Sequence, residues 1–154
     1  MKRFLGITIV ALAVALGFPT AALAQSGHFV QTQTCRDTGT TVQCSGKVAG
    51  LGGTTFEITV EADGVASVEC TNPGGNVAPG QDFDFTAEGS SDELPTPRNG
   101  QFKYSVETNE TDAPAGSCPN DSWTANVIDV EFTSATITLT EDGVVSDTVT
   151  VPVS

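Results

Sequence analysis

The chain has 154 residues and is strongly acidic, with 19 Asp and Glu against 6 Lys and Arg and a net charge of −13 at pH 7. A surface of that sign repels nucleic acid and anionic lipid headgroups, so neither is expected as a partner. The four cysteines allow a disulfide framework, and the single histidine leaves little scope for His-dependent catalysis.

The first 24 residues read as an export leader. Lys2 and Arg3 precede an apolar run from Leu5 to Phe18, and Ala22-Leu23-Ala24 forms a small-x-small cleavage site before Gln25. The run is too short for a membrane span. Cleavage leaves residues 25–154 as one domain. Because Lys2 and Arg3 leave while every acid stays, four bases then face nineteen acids, a mature charge of −15. No cysteine sits at the cleavage point, so a secreted, soluble monomer without a lipid anchor is expected.

Beyond residue 25, Thr, Val and Gly dominate, and short stretches alternate apolar with polar residues between Gly, Pro, Asn and Asp. That is the pattern of half-buried strands. Strands are expected at 28–34, 41–48, 55–61, 65–71, 82–88, 101–108, 122–130, 134–140 and 144–151. Nine short strands in one domain imply an all-β, immunoglobulin-like two-sheet β-sandwich. Its expected core holds Phe56, Ile58, Val60, Val68, Phe83, Phe85, Phe102, Tyr104, Val106, Trp123, Ile137 and Leu139.

Register follows from the turns. A three-residue loop of Ala62, Asp63 and Gly64 places Val60 opposite Ala66, Ile58 opposite Val68 and Phe56 opposite Cys70, one apolar face throughout. The same device at Glu141, Asp142 and Gly143 pairs Leu139 with Val145 and Ala135 with Val149, with Asp147 opposite Ile137 as the misfit. From Trp123, Ala125 and Val127 the apolar phase switches to Ile128, Val130 and Phe132, which signals a β-bulge or a strand changing sheets.

Cys35 and Cys44 oppose each other across a turn centred on Gly39-Thr40, with Gly first as a type II′ turn requires, and Cys70 is left for Cys118. With no C-x-x-C and no Cys/His cluster, the cysteines read as staples and not as a metal site.

Three loops carry what remains: 72–80, 89–100 and 109–121. Such loops gather at the ends of a sandwich, where recognition sits. The third holds Glu110, Asp112 and Asp121, weak candidates for Ca²⁺, though in no recognised ligand pattern. Asn109-Glu110-Thr111 and Asn120-Asp121-Ser122 fit the glycosylation sequon. His28 lies close to the mature N-terminus, where chains are poorly ordered, and no feature singles out two carboxylates as a catalytic pair. Trp123 and Tyr104 are the candidate ligand-facing aromatics, and their strand phase favours the core for both.

Cys70-Thr71-Asn72-Pro73-Gly74-Gly75-Asn76, Asn99-Gly100-Gln101, Ser117-Cys118-Pro119-Asn120 and Ala49-Gly50-Leu51-Gly52 are similar to landmarks of small secreted bacterial proteins. The resemblance spans roughly residues 28–121 and implies no activity. The Cys35 to Cys44 hairpin with Asp37-Thr38-Gly39 also resembles the neocarzinostatin-like chromoproteins. Those carry strands before that hairpin, whereas about ten mature residues precede Cys35, so their topology does not transfer. The sequence thus reads as a non-catalytic extracellular binding or structural module without cofactor. A carrier of a small molecule or carbohydrate, such as cell-wall polysaccharide, is the alternative, a protein partner another, and a small hydrolase the remaining one.

Overall fold

The computed structural model describes residues 26–154, and the leader expected at 1–24 lies outside them. Nine strands form two sheets, with no helix among the described residues. The strands are β1 (His28–Asp37), β2 (Val42–Ala49), β3 (Thr55–Thr71), β4 (Val77–Pro79), β5 (Phe83–Ser90), β6 (Leu94–Pro95), β7 (Gln101–Glu107), β8 (Thr124–Glu141) and β9 (Val144–Pro152). Sheet A runs β1-β2-β7, and sheet B is built on β3-β8-β9. The all-β, two-sheet architecture with two disulfides is as expected.

Its centre is not. β3 is one strand of 17 residues and β8 one of 18, antiparallel over their whole length from Phe56↔Glu141 to Thr71↔Thr124. The hairpin expected at Ala62-Asp63-Gly64 does not form. Gly64 is absent from the positive-φ glycines and instead pairs with Phe132 on one side and Phe85 on the other. The physical reason is parity. A three-residue hairpin joins positions of equal parity, and a straight strand puts every second residue on one face, so both bury Phe56, Ile58, Val60, Ala62, Ala66, Val68 and Cys70.

The phase switch in β8 is a bulge, as expected. Between Ser67↔Asp129 and Val68↔Val127 the extra residue is Ile128, and between Asp63↔Ser134 and Gly64↔Phe132 it is Thr133. The two bulges keep Val130 and Phe132, then Ala135, Ile137 and Leu139, all turned inward against the unbroken phase of β3. The second expected three-residue turn is a two-residue one, with Asp142 at φ 47° and Gly143 at φ 80° closing Glu141↔Val144. After a register shift Leu139 faces Asp147 and Ile137 faces Val149. The Asp147 misfit is resolved there, because its Oδ2 accepts the Phe29 N–H at 2.8 Å.

β4, β5 and β6 follow one another along the free side of β3 as a single interrupted strand. At each break the edge inserts one residue, and a side chain there takes the β3 N–H: Asp82 Oδ1 from Val68 at 3.3 Å, Ser91 Oγ from Ile58 at 3.0 Å. Loops 72–80 and 89–100, expected at the ends of the sandwich, contribute β4 and β6 and so lie along its side.

Sheet A packs on the inner face of sheet B, with Cys35, Val42, Cys44, Val48, Tyr104 and Val106 meeting the β3 and β8 residues. Both seams are closed. Ser154 N donates to Cys35 O and Asp37 N to Ser154 O, while Asn109 N donates to Glu88 O. Of the expected core, Phe83, Phe85 and Phe102 are partly buried against the cluster, and Trp123 is half-buried outside it.

Ile137→Ala is expected to lower unfolding free energy by about 2–5 kcal/mol through the cavity it leaves. Ile128→Thr, at a bulge residue 57 % exposed, should change it by less than about 0.5 kcal/mol. Urea denaturation of the two variants checks the bulge assignment.

Candidate functional site

The paired strands outrun the sheet that covers them. At one end the inner face carries Val68, Cys70 and Ala125, and none of these belongs to the main core cluster. A loop covers them. Cys118 is bonded to Cys70, whose side chain is fully buried, and Gln81 N donates to Ser117 O at 2.9 Å. Spacing therefore predicted both bridges correctly.

Two turns flank that anchor. Ser117 N and Oγ both donate to Pro114 O, with Gly116 at φ 91° supplying the conformation a side chain resists. On the other side Trp123 N donates to Asn120 O at 3.1 Å, and Asn120 Oδ1 accepts from Ser122 N and Oγ. The loop is thus held from three sides. Between the turns and the start of β8 lies a cleft of about 330 Å³, lined by Ala113, Gly116, Asn120, Asp121, Trp123 and Ala125 among others.

The two candidate aromatics part company here. Tyr104 is core: its hydroxyl donates to Gln33 Oε1 at 2.7 Å, its ring meets Phe29 edge-on, and burial pushes its phenol well above the ordinary value. Gly46 makes this pair possible, since a Cβ there would collide with Gln33 Oε1. Trp123, expected in the core, is half-buried because its position lies beyond the reach of sheet A, and it forms a wall of the cleft. Among the described residues no other ring stacks on it.

Glu110, Asp112 and Asp121 are all exposed, and Glu110 accepts a hydrogen bond from Thr40 Oγ1. Among the described residues no three His, Cys, Asp or Glu side chains come together to hold a metal ion.

At the opposite end of β3 and β8 sits a group the sequence reading placed in a turn. Glu141 is fully buried. Its Oε1 accepts from Gly52 N at 2.7 Å and Gly53 N at 3.1 Å, and its Oε2 from Gly27 N at 2.9 Å and Ser146 Oγ at 2.6 Å. Burial alone would raise its pKa, but the Ser146 hydroxyl and the three backbone N–H groups outweigh that and hold it below the ordinary carboxylate value. The signal was available: Glu141 continues the inward phase of Ala135, Ile137 and Leu139. The same contacts order the N-terminal segment, contrary to expectation. Ser26 Oγ bonds Gly50 O, and His28 Nδ1 lies 2.9 Å from Ser26 O.

No family model, curated protein or solved structure matches this chain.

Glu141→Gln replaces an oxygen acceptor by an amide facing donors, and should destabilise by about 2 kcal/mol at pH 7. Because the folded carboxyl is held low, the wild type's advantage is fully present above the unfolded value near 4.5 and is lost as pH falls through the folded one. Denaturation of both proteins from pH 7 to pH 3 should show the two curves converging in acid.

Proposed function

We propose that this chain is an exported, non-catalytic binding module of the immunoglobulin-like type, and that the Trp123 cleft is its recognition surface. The observation that carries the reading is a half-buried tryptophan on a cleft wall, held by a disulfide-anchored loop at the exposed tip of the sheet. A rigid aromatic wall contributes contact area at little entropic cost to the binder.

The chemistry elsewhere supports a non-catalytic role. All four cysteines are oxidised, and the sole histidine turns one ring nitrogen to a backbone carbonyl. Glu141 is sealed from solvent, and its carboxylate is taken up by backbone N–H groups and the Ser146 hydroxyl. Two disulfides suit an oxidising, extracellular compartment, and no helix among the described residues is long and apolar enough to cross a membrane.

Trp123 is the only tryptophan, so indole fluorescence, excited selectively beyond the absorption of Tyr104, reports this cleft alone. Titration with a panel of soluble oligosaccharides, small amines and apolar compounds should produce a saturable change for at least one class, with a rise in melting temperature. Trp123→Ala should abolish that rise while costing less than the roughly 3–5 kcal/mol of a core tryptophan. A panel that moves neither signal, or a variant that unfolds like a core mutant, returns Trp123 to a structural role.

A further inference from the structure

Taking the Trp123 cleft as the recognition surface, we propose that the group it takes is an organic ammonium. Three ligand classes fit a cleft of this size with one aromatic wall, and charge separates them. From Asn109 to Val127 the chain has three acids, Glu110, Asp112 and Asp121, and no Lys, Arg or His. Asp121 lines the cleft beside Trp123, and Asp112 directly precedes the lining residue Ala113. An anionic ligand meets repulsion from this loop and from the whole molecule, at −13 before any processing. A neutral sugar ring gains contact with the indole but nothing from the field.

An inorganic cation needs converging oxygens, and the acids do not converge. The uncharged polar wall residues are engaged within the loop: Asn120 Oδ1 accepts from Ser122, and Ser117 Oγ donates to Pro114 O. An ammonium carrying methyl or methylene groups uses what is present. Its positive charge sits over the electron-rich indole face, its carbons lie against Ala113, Gly116 and Ala125, and the Asp121 carboxylate adds long-range attraction at the rim. Quaternary ammonium and the primary ammonium of a lysine side chain share this chemistry.

The test uses the exported protein at low ionic strength and reads Trp123 fluorescence against choline, Nα-acetyl-lysine amide, 3,3-dimethylbutan-1-ol as the uncharged isostere of choline, and cellobiose. The expected result is saturable quenching by choline or the lysine amide, with the isostere at least about tenfold weaker. Which of the two ammonium compounds binds tighter identifies the source. Asp121→Asn should weaken the ammonium compounds roughly two- to fivefold and leave the isostere unchanged, and added salt should act in the same direction. For Trp123→Ala, which has no tryptophan to observe, ligand-detected NMR of the choline methyl signal should show binding lost while circular dichroism stays that of the folded protein. Equal binding of choline and its isostere, or binding of cellobiose alone, overturns the ammonium assignment and leaves the cleft as the site. Silence of Trp123 toward every probe removes the site as well.

Discussion

The full-length antiparallel pairing of β3 with β8 governs the rest of the molecule. Strands of 17 and 18 residues, at roughly 3.3 Å per residue, make a ribbon some 55 Å long. One face of such a ribbon is apolar along its length up to the buried Glu141 at its end, and it must be covered throughout. Sheet A, with strands of 7 to 10 residues, covers only part of it. The two ends of the ribbon are left to other devices.

Those devices differ in kind. At the Phe56 end a buried carboxylate gathers the N-terminal segment, the Gly52–Gly53 loop and β9 around itself, so that donors from all three offset the cost of burying its charge. At the Thr71 end there is no such gathering, and a covalent bond holds a loop over the overhang. The Glu141 carboxylate, saturated and buried, spends its bonding on the chain itself. A loop attached mainly through one bridge and two turns leaves space beneath it, and Trp123 borders that space. The difference between the two ends follows from how each is fastened.

How much of this was legible depends on what each residue pattern distinguishes. Inward phases could be read directly, because period-two alternation is a property of the strand itself: Ile58, Val60, Ile137 and Leu139 are fully buried. Both disulfides were legible because opposed positions across a short turn leave one pairing for the remainder. Connectivity around Asp63-Gly64 was not, since alternation there is the same for a hairpin and a straight strand, and Asp-Gly favours a turn only where the chain has room to reverse. Glu141 escaped because an acid beside Asp-Gly looks like turn chemistry until its partners Gly27, Gly52 and Gly53, far away in sequence, are brought to it. Trp123 was assigned to the core by its phase, which says which way a residue points but not whether an opposing sheet extends that far.

The stepped margin formed by β4, β5 and β6 has one more consequence. A sheet margin normally displays an even row of unpaired N–H and C=O groups, and that row is a template on which a second chain extends the sheet. Here the row is cut twice by an inserted residue, and Pro79 and Pro95 offer no N–H at all. No stretch longer than the eight residues of β5 keeps a regular spacing. Together with the acidic charge that repels like molecules, this irregular margin disfavours extension of the sheet by a second chain along this side.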